Sequence, residues 1–226
     1  FNCLIEQGID ATKGLTRGKL RVAVVSTAKY FVPHLLGSFC AQYPDIDISL
    51  EVLNRDGVVQ RLRDHQDDLY IMSMPPKDID LEDQVVMPNP LVLIAAETHP
   101  LARRRRLEIS DLAQLRFILR ERGSGTRMAT DAHFKRLRFK PDLRLELGSN
   151  EAIKEAVAAN LGVSVISSHA LHGRAAEQGL AVLRVAAFPI ESQWHVVWRK
   201  GQQLSPVARV FLEHLLAQAG QWTQAR

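Results

Sequence analysis

The strongest constraint on the fold is the way short apolar runs alternate with segments of helical periodicity along the whole 226-residue chain. Lys19 to Val25 is a β-branched run that ends at Ser26-Thr27, a pair suited to capping a helix. Tyr30 to Tyr43 then carries Phe31, Leu35 and Phe39 at helical spacing and stops before Pro44. Ile46 to Leu53 alternates as a strand, and Asp56 to Asp64 reads as a short helix with Val58, Val59 and Leu62 on one face. Asp68 to Ser73, Leu81 to Met87 and Leu91 to Ala96 read as further strands. The pattern restarts after His99-Pro100: a turn of helix at Ser110 to Leu115, a strand at Phe117 to Arg120, and a helix from Gly123 to about Phe139. Leu143 to Leu147 follows as a strand. Ser149-Asn150 caps a helix over Glu151 to Asn160, which Gly162 would close in left-handed conformation. Val163 to Ser167, Leu180 to Val185 and Trp194 to Trp198 complete the strands, and Ser205-Pro206 opens a final helix over Val207 to Gln218.

Such alternation builds α/β layers with mainly parallel strands. It divides into two βαβ stretches, residues 19–96 and 100–193, with a last strand and helix that can return to the first. The expected architecture is two Rossmann-like lobes around a hinged cleft.

Composition narrows the function. The apolar share of 46% and charged share of 24% are those of an ordinary globular protein. The apolar runs are strand-length, well short of the roughly 20 residues a membrane helix needs. Cys3 and Cys40 have neither zinc-site nor disulfide-framework spacing. The opening residues carry no signal-peptide pattern, so the cytoplasm is the expected compartment. The net charge of +4 is scattered except for Arg103 to Arg106, which read as a solvated loop. No aromatic interleaving or finger spacing makes this chain a nucleic-acid reader by itself.

In open parallel sheets the ligand lies beyond the C-terminal strand ends. Gly123-Ser124-Gly125-Thr126-Arg127 is the strongest junction of that kind. Its glycines admit a ligand to the backbone, the helix start favours an anion, Thr126 offers a hydroxyl, and Arg127 can grip a carboxylate or phosphate in bidentate fashion. A plain capping turn accounts for the same residues. Ser26, Thr27 and Lys29 repeat the logic in the first lobe, where an N-cap with a solvated lysine is the plainer account. Asn150 and Lys154 share a helix face, and Ser73 follows a strand end. No GxSxG, HExxH, GxGxxG or P-loop pattern occurs, and no carboxylate pair is marked out, so no catalytic residue and no metal ligand is assigned.

Gly18 to Ala23 with Thr27-Ala28-Lys29-Tyr30-Phe31, then Phe39 to Pro44, Asn89-Pro90-Leu91-Val92, His99-Pro100-Leu101, Arg120 to Arg127, Gly148 to Lys154 and Gly162 to Val165 follow a shared order. In that order and spacing the chain resembles the effector-binding domain of LysR-type transcriptional regulators over residues 17–219. Thr-Ala-Lys-Tyr-Phe and Gly-Ser-Gly-Thr-Arg are further similar to the CbbR/CmpR group, which controls carbon dioxide fixation or bicarbonate uptake operons.

The resemblance implies a fold of the type 2 periplasmic-binding-protein kind, with residues 17–96 plus 194–226 as lobe I and 97–193 as lobe II. It implies that 1–16 end a linker helix and that a winged helix-turn-helix, the part that would touch DNA, is absent from this chain. It places Ser26, Thr27, Lys29, Ser73, Arg120, Gly125, Thr126, Arg127, Asn150, Lys154, Val163 and Ser164 around a small anionic effector such as ribulose 1,5-bisphosphate or 2-phosphoglycolate, without a cofactor. It implies homodimers of this domain and a homotetramer of the whole regulator, with the helix at 56–64 and its flanking strand as the pairing surface. The sequence departs from the family at Met74, where Gln is expected. Two other readings stay open: a periplasmic solute-binding protein for transport, and a small enzyme acting on a phosphorylated substrate.

Overall fold

The computed structural model describes residues 17–171 and 173–224 and resolves into two compact units. Unit 1 comprises residues up to Met87 together with Trp194 onward, and unit 2 comprises Pro88–Gln193. The expected linker helix at 1–16 and Cys3 lie outside the described residues.

Unit 1 is a five-stranded sheet in the order β2-β1-β3-β10-β4. Its strands are β1 (Gly18–Val25), β2 (Ile46–Leu53), β3 (Leu69–Met72), β4 (Leu81–Pro88) and β10 (Gln193–Arg199). β1 pairs in parallel with β2 and β3, whereas β10 runs antiparallel to β3. β1 is buried along Val22 to Val25 on both faces, as a parallel strand covered by helices must be. Those helices are α1 (Val32–Gln42), α2 (Arg55–Arg63) and the C-terminal α5 (Pro206–Gln224). Phe39 of α1 meets Phe211 of α5 edge-to-face with ring centroids 5.2 Å apart.

Unit 2 holds β5 (Leu91–Ala96), β6 (Arg116–Arg120), β7 (Asp142–Leu147), β8 (Ser164–Ser167) and β9 (Leu180–Val182). β6 and β7 are parallel, and β5 is antiparallel to both β8 and β9. A parallel bridge from Phe117 to Val163 links the two sets, giving the order β7-β6-β8-β5-β9. Helices α3 (Gly125–Arg136) and α4 (Asn150–Ala158) complete the unit. Phe117, Leu119, Phe134 and Val165 belong to its core.

Several boundaries differ from expectation for identifiable reasons. The first lobe was expected to run to 96, but β5 pairs only with strands of unit 2, so the division falls after Met87. Ser26 and Thr27 do not cap α1: Ser26–Tyr30 form a 3-10 turn of their own, and α1 begins at Val32 after Phe31. Gly162 does not take the left-handed conformation; Asn160 does, with φ 60°. The need at Gly162 is space, since a Cβ there would lie 2.5 Å from the Arg116 carbonyl oxygen. The last helix extends beyond Gln218 to Gln224.

Candidate functional site

In unit 2 the parallel strands β6 and β7 deliver their C-terminal ends to one cluster built around Arg120. Arg120 is 3% exposed. Its Nε and Nη2 donate to the two carboxylate oxygens of Glu121 at 2.8 and 3.1 Å, and Nη1 donates to Asn150 Oδ1 at 3.0 Å. Nη2 also approaches the Gly148 carbonyl at 3.5 Å. Arg120 therefore ties the end of β6 to the start of α4, whose cap is Ser149, accepting from the Ala152 N–H. A buried guanidinium with this many acceptors is a fixed charge rather than a mobile one.

The turn after β6 follows the sequence expectation. Gly123 adopts φ 90°, and Ser124 caps α3 by accepting from the Arg127 N–H. The N–H groups of Gly125 and Thr126, the first two of the helix, have no hydrogen-bond partner among the described residues. They are two of the four donors every helix start leaves open. Arg127 is used differently from expectation. Its Nε contacts both oxygens of Asp131 at 3.0 and 2.9 Å, and its Nη1 donates to the Arg120 carbonyl at 2.7 Å and to Glu146 Oε2 at 2.8 Å. Burial pulls the guanidinium pKa down, but the hydrogen bonds and charges of Glu146 and Asp131 outweigh it and leave the value raised. The hydrogen bond from Arg127 in turn holds the Glu146 carboxyl below the usual carboxylate range. Arg127 thus braces α3 against β6 and β7.

The other expected residues fall into three kinds. Lys154 is half-buried, and its Nζ donates to the Ala170 carbonyl at 3.0 Å and to Gln178 Oε1 at 3.3 Å. Val163 has its backbone consumed by β6: its N–H donates to the Arg116 carbonyl and its carbonyl accepts from the Ile118 N–H. Ser164 is fully buried, and its hydroxyl has no partner among the described residues. In unit 1, Thr27 is buried, Ser26 is half-buried, and exposed Lys29 places its ammonium 5.3 Å from the Tyr30 ring centroid. Ser73 is buried just after β3. At Met74, where Gln is the expected residue, the backbone carbonyl accepts from Arg55 Nε at 2.6 Å. Burial draws the Arg55 guanidinium below its ordinary pKa against the pull of Asp56 and Asp78.

The structure thus joins Arg120, Asn150 and Arg127 in one network of unit 2, with Gly125 and Thr126 in the helix turn next to Arg127, and Ser26, Thr27 and Lys29 in one turn of unit 1. Glu121, Asp131 and Glu146, which hold Arg120 and Arg127 in place, and Arg55, which holds the Met74 carbonyl, are not among the residues expected from the sequence. The i,i+4 spacing of Arg127 and Asp131 was visible; the pairing with Glu146 across 19 residues was not.

The family described as "LysR substrate binding domain" matches residues 13–220. The chain is 42% identical over 218 residues to the HTH-type transcriptional activator CmpR of Synechocystis, spanning 96% of this chain and 72% of that protein. It is 41% identical to a RuBisCO operon transcriptional regulator of Acidithiobacillus ferrooxidans, over 93% of this chain and 68% of the relative. Among solved structures, the Synechocystis CcmR regulatory domain in complex with 2-PG superposes with a TM-score of 0.87 at 46% identity, covering 90% of this chain and 98% of that one.

Proposed function

The chain belongs to the LysR substrate-binding-domain family, and from that premise we propose that it senses a small phosphorylated anion to control transcription of carbon-fixation operons. The observation that carries this reading is that a 46% identical regulatory domain was solved holding 2-PG. The donor chemistry agrees with it. The free N–H groups of Gly125 and Thr126 sit at the positive end of α3 beside a fixed network of buried Arg120 and Asn150. Thr126, Gly125, Asn150, Lys154 and Ser164 in unit 2, with Ser26, Thr27, Lys29 and Ser73 in unit 1, are the groups we assign to the effector. We give Arg120, Arg127 and Val163 a supporting role, since Arg120 Nε, Arg127 Nη1 and the Val163 backbone already serve the fold.

The carbon-fixation assignment draws on relatives named as RuBisCO operon regulators and as CmpR and CbbR. These names favour a regulator over the alternative of a solute-binding protein for transport. The sensor role needs no catalysis, and we place it in the cytoplasm as part of a homodimer, with DNA contacted by a part outside this chain. An effector changes transcription only to the extent that it binds one conformation better than another.

Isothermal titration with 2-phosphoglycolate, ribulose 1,5-bisphosphate, inorganic phosphate and acetate tests the proposal. We expect saturable binding of a phosphorylated metabolite with Kd between about 1 μM and 1 mM. We expect none with acetate, and roughly tenfold weaker binding in Thr126→Ala, a loss of about 1.4 kcal/mol. Absence of saturable binding by every phosphorylated compound would overturn it.

A further inference from the structure

The arginine run 103–106 takes no part in the site above, yet the structure gives it a defined place. Leu107, at its end, forms a parallel bridge with Val185. The Leu107 N–H donates to the Arg184 carbonyl at 2.9 Å, and the Ala186 N–H donates to the Leu107 carbonyl at 2.8 Å. Arg105, Arg106 and Arg184, on the two segments joined by this stitching, line a cavity of about 490 Å³ in unit 2. Its wall is apolar, with Val92, Val182 and Phe188 among the lining side chains. Val182 is 41% exposed, a large apolar side chain left open at the end of β9.

The charges of the run divide. Arg104 pairs with Asp111 at 2.8 Å and Arg106 with Glu108 at 3.1 Å, the latter two both well exposed. Arg105 and Arg184 have no ion pair among the described residues. Arg105 and Arg184, the two guanidiniums lining this surface that lack a paired carboxylate among the described residues, gain from an anion placed between them. The apolar wall limits hydration on one side, which strengthens a charge-assisted contact there. The volume lies within the roughly 300–1,000 Å³ of small-molecule pockets. A solvated arginine loop explains neither the bridge to the segment after β9 nor the open apolar wall.

We propose that unit 2 carries a second anion site, sharing no residue with the turn of α3, that takes a small amphipathic anion. Its carboxylate, sulfonate or phosphate head sits among Arg105, Arg106 and Arg184, and its apolar body lies on Val92, Val182 and Phe188.

The test uses anilinonaphthalene sulfonate as probe, followed by its fluorescence. One saturable site per chain is expected, unaffected by excess 2-phosphoglycolate. Affinity should fall at least tenfold in the double variant Arg105→Glu/Arg184→Glu and, independently, in Val182→Glu, while Arg103→Glu binds as the parent does. All these positions are exposed, so unchanged thermal melting should accompany the loss. Unaltered binding in both the double variant and Val182→Glu would sink the proposal, as would displacement of the probe by 2-phosphoglycolate. If instead the probe does not bind while an oligoglutamate peptide does, and the double variant loses the peptide, the surface docks an acidic protein segment and the small-ligand site is refuted.

Discussion

Each unit runs one of its parallel strands to the same kind of ending, and the two finish differently. In each, one strand lies beside a parallel partner and delivers its C-terminal end to a helical turn: β1 beside β2, β6 beside β7. β1 leads into a 3-10 turn of 5 residues with no side-chain cap and with Lys29 exposed. β6 leads into a helix of 12 residues capped by Ser124, on a base of buried Arg120 and Arg127. Unit 2 thus presents donors whose positions are set in advance by charge networks. Unit 1 presents an ammonium on a long side chain, which must give up rotamer freedom when it engages a ligand. The preorganised half is expected to supply more of the affinity per contact.

The comparison breaks if the network of unit 2 proves dispensable. The largest effect is expected from Arg120→Ala, which leaves Glu121 without its cation and Asn150 Oδ1 without its donor. Removing one member of a buried pair costs 3–5 kcal/mol, and Glu121 retains some water, so about 3 kcal/mol is expected by urea denaturation. A loss below about 1 kcal/mol would mean that the cluster is not structural. Arg127→Ala comes next, at about 2 kcal/mol, because hydrogen bonds to charged groups are worth roughly 1.5–3 kcal/mol and both of its carboxylate partners are partly solvated. Its effect on effector affinity should follow from a displaced α3 and be matched by lost stability. A variant with wild-type stability and abolished binding would restore Arg127 as a direct ligand.

These networks also mark the limit of what the sequence discloses. Alternating periodicity locates nearly every strand and helix, because burial of one face is a local pattern. Ser124 and Ser149 are legible as caps for the same reason: each acts on an N–H three residues away. Ser26 fails as a cap because Phe31, at full burial in the core, sets where the helix begins, and no local signal reports that. β5 reads as a strand but not as a member of unit 2, since its partners β8 and β9 are about 70 to 90 residues on. The Arg120–Asn150 bond and the Arg127–Glu146 pair likewise depend on strand register across the chain. The arginine run reads as solvated loop and its four residues are exposed, but the bridge from Leu107 to Val185 beside it is a long-range pairing that no local pattern reports.

A smaller and sharper contrast comes from the two serines that follow β1 and β6. Ser124→Ala removes a cap and is expected to cost about 1 kcal/mol. Ser26→Ala removes no helix cap and is expected to cost less than Ser124→Ala. Thermal melts of the pair decide it: equal losses would show that the turn of unit 1 is as tightly specified as the helix start of unit 2.

The smallest effect is expected with pH, and it belongs to unit 2. His133 on α3 is buried against the Phe188 ring, centroids 5.1 Å apart, and its Nδ1 lies 2.9 Å from Arg136 Nη2. The arginine can only donate, so Nδ1 accepts and the ring is neutral. Burial first, and the Arg136 charge second, hold its pKa below 6.5, with the backbone of Ala187 opposing. Burial lowers His99 in the same direction. A histidine whose folded pKa is depressed takes up its proton first in the unfolded chain. Its contribution to stability is therefore complete above about pH 6.5 and declines as pH falls toward the folded value. The depressed carboxyls of Asp111 and Glu146 act only in more acid solution, near and below their ordinary range of about 4. Urea midpoints taken between about pH 7.5 and 5.5 should fall with acid in the parent and fall less in His133→Phe. Hydrogen exchange should show the loss of protection in α3 and β6. An equal slope in the variant would mean that the ring protonates freely in the folded state, and that the core beneath α3 is open to water.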